Sequence, residues 1–307
     1  MRYLECVLVQ CASLRLRNVD CDIVFVTNAR RAGSALGRAG SRLLRAIEDY
    51  GVEIREAEYQ RRSWARVPMF FASYYVFDAI EALGGDDRLW LLTDVDCVWI
   101  DAPTVFAAAA GAGEAVGSIQ IGYPPDWDII GYTPTSLGDL AGRLSGRPTR
   151  VEGWIGGELI TATGLQLRAL MQAVIGAEAE AASIGFPLNT EEQLLSLVYA
   201  LGRVRFANLN AVAGRIWTGP RHGAVNPAHP LELGLWHLPG EKGLAFRRAA
   251  RELLRGRDQP LRRELADPQT AGRRFNVTGL PRARRLRDDA WIAAQRAQAI
   301  FGSRRGS

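Results

Sequence analysis

The sequence contains few cysteines, a single lysine and no long apolar run. Its four cysteines include no C-x-x-C pair, so neither a disulfide framework nor a cysteine zinc site is indicated. No apolar run of about 18 residues is present, and the first residues lack the basic region, apolar core and cleavage site of a secretory signal. We therefore expect a protein of the reducing cytoplasm with no segment that spans a membrane.

What is present is the composition of an ordinary folded protein. With 307 residues, 48% hydrophobic and 23% charged, the chain is long enough for one large α/β domain or two small ones. The formal net charge is +5, and arginine supplies all of the positive charge except Lys242. Arginine suits phosphate groups and anionic surfaces, although the same bias can reflect genome composition. The single lysine indicates that a compact ammonium is wanted at position 242.

The first part of the chain predicts alternating helices and strands. Apolar residues recur at helical spacing from 3 to 16, and segments 21–29 and 52–59 have the composition of strands on either side of a helix at 31–50. This order is typical of parallel α/β proteins.

Further helices are predicted later in the chain. An apolar stripe predicts one at 68–83, a second runs over 165–182, and a third begins at Asn189, which we expect to be its N-cap. The glycines of segment 153–164 are expected where a backbone must approach a neighbour closely. Residues 246–307 are rich in arginine and helix formers, which predicts a basic helical tail.

The stretch from Leu89 to Ile100 (LWLLTDVDCVWI) is expected to be the central strand. Its apolar run predicts a buried strand in the middle of a parallel sheet, and Asp94 and Asp96 project from its end on the same side. Aspartates at such a place often only end the strand or cap the next helix. However, Asp101 follows closely, and three acids around one strand end repel one another unless a cation lies between them.

A second informative segment is LWHLPGEKGLA. It contains His237 and a turn with Gly240 and Lys242, whose free amides and ammonium suit an anion such as a diphosphate. Two carboxylates and an imidazole (Asp94, Asp96 and His237) form a candidate metal site. Carboxylates suit Mg²⁺ or Mn²⁺, and the added imidazole shifts the preference towards Mn²⁺.

These segments together resemble the GT-A glycosyltransferases of family 8, which include glycogenin and bacterial lipooligosaccharide galactosyltransferases. The resemblance rests on DVD after an apolar strand, on GWIGGEL, on the acid–Gln pair that opens a helix, and on H-x-x-G-x-K. The order and spacing match from about residue 3 to 245. The resemblance implies an α/β, GT-A-like, mostly parallel sheet flanked by helices over residues 1–245, followed by the arginine-rich helical tail at 246–307.

The resemblance also implies a function and a set of site residues. It implies a retaining transferase of the hexosyltransferase class that uses a nucleotide sugar, usually a UDP-sugar, with Mn²⁺ or Mg²⁺ on the residues matching Asp94, Asp96 and His237. Donor-contacting residues would be Lys242, Gly240, Gly157 and Thr93, and catalytic residues near the reacting sugar would be Gln193, Glu192 and Glu158.

Three departures from the family pattern are visible. The family's arginine in the helix before the central strand is missing from Tyr75–Phe77, so only Arg66 could substitute for it. The histidine motif reads Lys-Gly-Leu where the family has Lys-Pro-Trp. Family members also begin with a strand and loop that hold the nucleotide base, whereas here the first helix begins at Met1. We therefore expect that the protein begins upstream or that this is a degenerate copy.

The partners follow from the resemblance and from the tail. We expect a nucleotide-sugar donor, a carbohydrate or glycolipid acceptor, and no nucleic acid, because no nucleic-acid-binding module is recognisable. The default interpretation of the tail is a solvated helical face. Because Trp291, Ile292, Ile300 and Phe301 accompany the arginines, peripheral contact with the inner face of the membrane is the alternative.

Two other functions remain open from the sequence. DVDCV also resembles the first motif of haloacid-dehalogenase-like phosphohydrolases, but these need a later lysine and a further acidic pair on the metal. Here the lysine lies in the histidine motif, and the only later Asp pair is Asp288–Asp289 in the tail. The remaining alternative is a protein that binds a nucleotide sugar without turnover.

Overall fold

A computed structural model of the chain describes residues 2–28, 33–64, 72–218, 225–279, 284 and 286. The helices are α1 (Arg2–Arg15), α2 (Gly33–Glu48), α3 (Tyr75–Leu83), α4 (Ala102–Gly111), α5 (Pro134–Ser145), α6 (Gly164–Ser183), α7 (Glu191–Ala200), α8 (Ala245–Leu253), α9 (Asp258–Ala266) and α10 (Pro268–Arg274). The strands are β1 (Ile23–Thr27), β2 (Val52–Glu56), β3 (Leu89–Thr93), β4 (Cys97–Trp99), β5 (Val116–Ile121), β6 (Trp154–Thr163), β7 (Phe206–Asn208), β8 (Ala213–Arg215) and β9 (Leu235–His237).

The strands form three sheets with mixed pairing. One sheet has the order β3-β6-β5-β7, a second has the order β4-β9-β8, and β1 pairs with β2. Pairs β1/β2, β5/β7 and β8/β9 are parallel, whereas β3/β6, β5/β6 and β4/β9 are antiparallel. The predicted α/β class is confirmed, but the pairing is mixed rather than mostly parallel.

The stretch from Leu89 to Ile100 differs from the expected central strand. It forms two short strands, because the chain leaves the β3 sheet at Asp94 and enters the β4 sheet after Asp96. Only β4 is fully buried; β3 is half-buried for most of its length, and in the described part of the chain its one partner is the antiparallel strand β6. The predicted position in the middle of a parallel sheet is therefore wrong. The break places both carboxylates in a turn between two sheets.

Two helix starts also differ from the prediction. Helix α3 begins at Tyr75, and residues 65–71, which include Arg66, lie outside the described residues. The N-cap of α7 is Thr190 instead of Asn189, because the Thr190 hydroxyl accepts a hydrogen bond from the Gln193 amide at 3.3 Å. Asp101 is the N-cap of α4, which gives this acid a structural role.

The helices after residue 245 share a core with the beginning of the chain. Leu8 of α1, Val98 of β4 and Trp236 of β9 are in one buried apolar cluster with Phe246 of α8 and Phe275 after α10. The predicted boundary at residue 245 therefore does not coincide with a break in the core, although the predicted helical character of 246–274 is confirmed. Trp291, Ile292, Ile300 and Phe301 lie outside the described residues. Within the described ranges, no helix combines the length and apolar composition that a membrane span requires.

Candidate metal centre

Strand pairing brings the two aspartates and the histidine together. The antiparallel register of β4 and β9 sets Cys97 opposite His237, and the Leu238 amide donates to the Asp96 carbonyl at 2.9 Å. As a result, Nε2 of His237 lies 3.3 Å from Oδ2 of Asp94 and 3.2 Å from Oδ2 of Asp96. One ligand atom from each of the three residues lies within 4.8 Å of the others.

The environment of these three side chains favours a cation. Asp96 and His237 are buried, whereas the Asp94 side chain is 50% exposed and opens the cluster to solvent. Oδ2 of Asp96 lies 3.0 Å from the Lys242 ammonium and 3.2 Å from Nε2 of His237, whereas the buried Oδ1 of Asp96 has no hydrogen-bond partner within the described part of the chain. A buried carboxylate oxygen is rarely left without a partner, so Oδ1 can accept a ligand.

The spacing of the ligand atoms fits a small divalent ion. Adjacent ligands about 2.1 Å from an octahedral ion lie about 3.0 Å apart, close to the separations in this cluster. A donor set of two carboxylates and one imidazole suits Mn²⁺ or Mg²⁺ better than a softer metal. The solvent-facing side next to Asp94 leaves room for ligands from outside the chain.

Glu158 holds the other side of the histidine ring. Its Oε1 lies 3.2 Å from Nδ1 of His237, and its two oxygens accept hydrogen bonds of 2.6 and 2.8 Å from Arg215. Burial alone would raise the pKa of Glu158, but Arg215 and His237 outweigh it and lower the pKa to about 2. Burial would likewise lower the pKa of His237, but Asp96 and Glu158 raise it to about 10. Glu158 therefore fixes the ring so that Nε2 faces the aspartates.

Arg215 connects this carboxylate to a second one. The guanidinium also pairs with Glu192 and donates to the Tyr123 hydroxyl at 3.1 Å. Burial alone lowers the pKa of Arg215, but the two glutamates raise it well above its ordinary value. Sequence reasoning missed this residue. The signal that could have found it is a charge in the otherwise apolar strand AVAGRIW, since a buried arginine needs acidic partners.

Lys242 contacts the candidate metal site formed by Asp94, Asp96 and His237. Its ammonium is 3.0 Å from Oδ2 of Asp96 and 5.3 Å from the centre of the Tyr3 ring, and the side chain is 31% exposed. The ammonium therefore neutralises Asp96 from the side that leads to solvent. Gly240, in the turn before Lys242, lies so close to Thr218 that a Cβ would be 3.0 Å from its hydroxyl oxygen.

The other predicted site residues have partners within the protein. The Gln193 side chain is fully buried; its carbonyl accepts from the Asn189 amide at 2.7 Å and its NH₂ donates to the Ile129 carbonyl at 2.8 Å. The Thr93 hydroxyl accepts from Gln10 at 2.7 Å, and the same Gln10 amide donates to the Asp94 carbonyl at 2.8 Å. Gln10 was missed by sequence reasoning because a glutamine on a predicted core helix carries no motif.

The predicted close approach at the glycines of β6 is confirmed. A Cβ on Gly157 would lie 2.8 Å from Cγ of Glu191, and a Cβ on Gly156 would lie 2.2 Å from Oε2 of Glu158. The closely approaching groups are thus glutamate side chains of the protein itself. Glu191 is an acid in the first turn of α7.

Comparisons with known proteins bear on the fold. No protein-family profile and no curated protein sequence matches the chain. Among solved structures, apo mouse xyloside xylosyltransferase 1 is similar at 12% identity over 79% of this chain and 94% of that chain, with a TM-score of 0.51. Galactosyltransferase LgtC in complex with donor and acceptor sugar analogs is 12% identical over 83% of this chain and 92% of that one, with a TM-score of 0.49. An active-site mutant of LgtC is 13% identical with the same coverage and TM-score.

At these identities a likeness concerns the fold alone, and the xylosyltransferase structure, with a TM-score above 0.5, supports it. The three-dimensional structure thus agrees with the resemblance found in the sequence: this chain has the GT-A-like α/β fold of glycosyltransferases.

Proposed function

We propose that the protein is a metal-dependent glycosyltransferase that moves a sugar from a nucleotide-sugar donor, a UDP-sugar in the first instance, to a carbohydrate or glycolipid acceptor with retention. The observation that carries the proposal is the cluster of Asp94, Asp96 and His237, in which one ligand atom from each residue lies within 4.8 Å of the others. The ammonium of Lys242 lies directly beside this cluster. A GT-A-like fold with these groups suits a substrate that carries a diphosphate.

Each residue has a proposed task. Asp94, Asp96 and His237 would hold Mn²⁺ or Mg²⁺, and the bound ion would neutralise the charge that grows on the diphosphate leaving group. Lys242 would exchange its contact with Asp96 for a phosphate oxygen, and the turn at Gly240 would approach the diphosphate through its backbone. An ammonium placed beforehand beside a developing negative charge stabilises the transition state without reorganisation.

The predicted catalytic carboxylates would act through charge. Glu158 and Glu192 are both paired with Arg215, and Glu158 also fixes His237. We propose that they orient the ligand set and set the local potential around the reacting sugar. Gln193 would act by holding the 129–130 loop, to which its amide is bonded.

The decisive experiment is calorimetry of UDP binding with and without Mn²⁺. We expect binding that requires the ion, and we expect Asp96→Asn to abolish it while leaving the melting temperature near that of wild type. The matched control is Asp101→Asn, because Asp101 caps α4 and asparagine is an equally good cap. UDP binding that is equal with and without Mn²⁺ in the wild type, or unchanged in Asp96→Asn, would contradict the proposed metal role.

A second function, binding of a nucleotide sugar without turnover, is favoured by one observation. Glu158, Glu192 and Gln193 are all engaged with other parts of the protein and leave no free carboxylate or amide among the predicted catalytic residues. Release of UDP from a panel of UDP-sugars separates the two functions. Metal-dependent binding accompanied by UDP release supports the transferase, and binding without release supports the second function.

A further inference from the structure

A groove of about 450 Å³ lies along helix α8, outside the metal centre. It begins at Gly243 and Leu244 and is lined by four arginines, Arg247, Arg248, Arg251 and Arg255. All four arginines are exposed, whereas the opposite face of α8 packs into the core through residues such as Phe246 and Ala250. Glu252 also lines the groove. The groove is therefore a surface feature with four positive charges and one negative charge, and the core packing of α8 does not use its arginines.

The acids of this region do not neutralise the groove. Residues 245–279 contain four acids, and each of them has an ion-pair, hydrogen-bond or helix-capping partner other than the four groove arginines. Glu252 and Glu264 both pair with Arg274, at 2.7 and 3.0 Å. Asp258 accepts from the Tyr50 hydroxyl at 3.0 Å, and Asp267 caps α10.

The groove arginines themselves have weak partners or none within the described ranges. Arg247 is 3.8 Å from Glu5, and Arg248 is 3.6 Å from the Glu252 carboxylate that already binds Arg274. Exposed pairs at such distances contribute little. No ion pair in the described part of the chain involves the side chain of Arg251 or Arg255.

The spacing of the arginines is unfavourable unless an anion is present. Arg247 and Arg251 are four residues apart on α8, which places their Cβ atoms about 6 Å apart, and Arg255 follows in the turn after the helix. Like charges at this spacing repel each other and destabilise a helix. Arg255 is also not needed to bind the free carbonyl groups at the C-terminal end of α8, because Arg42 already donates to the Leu254 carbonyl at 2.7 Å.

We propose that this groove is a binding site for a phosphate group, separate from the metal centre. Guanidinium groups on neighbouring turns of a helix can donate to the same phosphate, and arginine forms strong, charge-assisted hydrogen bonds with this anion. The phosphate belongs either to a lipid headgroup, with the exposed Leu244 beside it, or to a soluble phosphate ester. The proposal does not depend on the proposed transferase activity, because none of the groove arginines contacts Asp94, Asp96 or His237 among the ion pairs of the described residues.

The test compares two double variants that remove equal charge. Arg251→Gln with Arg255→Gln changes the groove, and Arg262→Gln with Arg263→Gln changes two exposed arginines of α9 outside it. Each protein is titrated with inorganic phosphate by calorimetry in metal-free buffer. Each is also sedimented with phosphatidylglycerol vesicles, with phosphatidylcholine vesicles as the uncharged reference.

We expect the groove variant to bind the phosphate-bearing probe about tenfold more weakly, while the α9 variant binds as wild type does. If the groove variant loses affinity for inorganic phosphate, the ligand is a soluble phosphate ester. If it loses affinity for phosphatidylglycerol vesicles alone, the ligand is a lipid headgroup. Equal affinity of the groove variant and the wild type, equal losses in the two double variants, or no binding of either probe to the wild type would each overturn the proposal.

Discussion

The Nδ1 atom of His237 lies 3.2 Å from the Glu158 carboxylate, while the Nε2 atom of the same ring faces Asp94 and Asp96. Glu158 is fully buried and is itself fixed by two hydrogen bonds from Arg215. The imidazole is thus held on its Nδ1 side by the Glu158 carboxylate, and the ion pair with Arg215 fixes the position of that carboxylate. This arrangement orients the ring, so under the proposed function Glu158 is a determinant of metal affinity.

The first prediction concerns this carboxylate. Glu158→Gln keeps the shape of the side chain but removes its charge, so we expect the Mn²⁺ affinity measured by calorimetry to fall about 10- to 100-fold. The variant should also lose roughly 3 kcal/mol in the free energy of unfolding, because Arg215 stays buried with one acidic partner fewer. Glu180→Gln, which changes a more exposed ion pair with Arg203, is the control. Unchanged Mn²⁺ affinity in a folded Glu158→Gln protein would show that the carboxylate does not support the ligand set.

The second prediction concerns the lysine beside the metal cluster. Because the Lys242 ammonium lies 3.0 Å from Asp96, it competes with a cation for that carboxylate. Lys242→Met should therefore raise the Mn²⁺ affinity of the nucleotide-free protein about tenfold and lower UDP affinity in the presence of Mn²⁺ by a similar factor. Lys242→Arg keeps the charge and should change both affinities less. The prediction is wrong if Mn²⁺ binds Lys242→Met no more tightly than wild type.

The third prediction uses two glycines that differ in their surroundings. A methyl group on Gly156 would lie 2.2 Å from Oε2 of Glu158 and 2.8 Å from Ile119, and Glu158 cannot yield because Arg215 and His237 hold it. Gly156→Ala should cost about 1–3 kcal/mol of unfolding free energy and weaken Mn²⁺ binding. Gly111→Ala at the end of α4 has nothing within 4 Å, so it should be neutral or stabilising by about 0.5 kcal/mol. Equal denaturation midpoints for the two variants would contradict the close packing at β6.

The grouping of Asp94, Asp96 and His237 could be predicted from the sequence, because each of them belongs to a local pattern. Asp94 and Asp96 follow an apolar run, and His237 precedes a turn with a glycine and a lysine. The alternation of helices and strands also indicated the α/β class correctly.

Features that depend on distant pairing could not be predicted in the same way. Arg215 is recognisable as part of the site only when β8 lies beside β9 and reaches Glu158 on β6. The mixed pairing has the same origin, since the antiparallel partner of β3 lies much later in the chain. Local apolar periodicity shows that a strand is buried but carries no information about the direction of its neighbour.

The fourth prediction is a pH dependence of stability. Burial, together with the charges of Glu192 and Asp94, raises the pKa of Glu191 to about 8. The folded protein therefore keeps a proton that the unfolded chain releases above its ordinary pKa of 4.5, so stability falls as the pH rises from about 4.5 to 8. Glu191→Gln should change little at pH 4 and should add about 1–3 kcal/mol to the free energy of unfolding at pH 9. Urea denaturation in chelator-treated buffer measures both values. Glu152→Gln, at an exposed carboxylate, is the control, and an equal gain at both pH values would exclude Glu191 as the source.

The last prediction concerns the turn that carries Gly240 and Lys242. Between them, Glu241 is fully buried; it pairs with Arg284, accepts from the Thr218 hydroxyl, and accepts from Asn276 at 2.8 Å. Arg284→Gln should cost about 3 kcal/mol of unfolding free energy, because it leaves a buried carboxylate without its cation.

The double variant Glu241→Gln with Arg284→Gln removes both charges at once and should cost at least about 1 kcal/mol less than the sum of the two single changes. Arg273→Gln, at an exposed arginine of α10, is the control and should have little effect. If the cost of the double variant equals the sum of the costs of the two single variants, Arg284 does not stabilise the turn through Glu241. If they are coupled, we expect Arg284→Gln to lower UDP affinity more than Mn²⁺ affinity, because the turn carries Lys242 while the metal ligands lie on other elements.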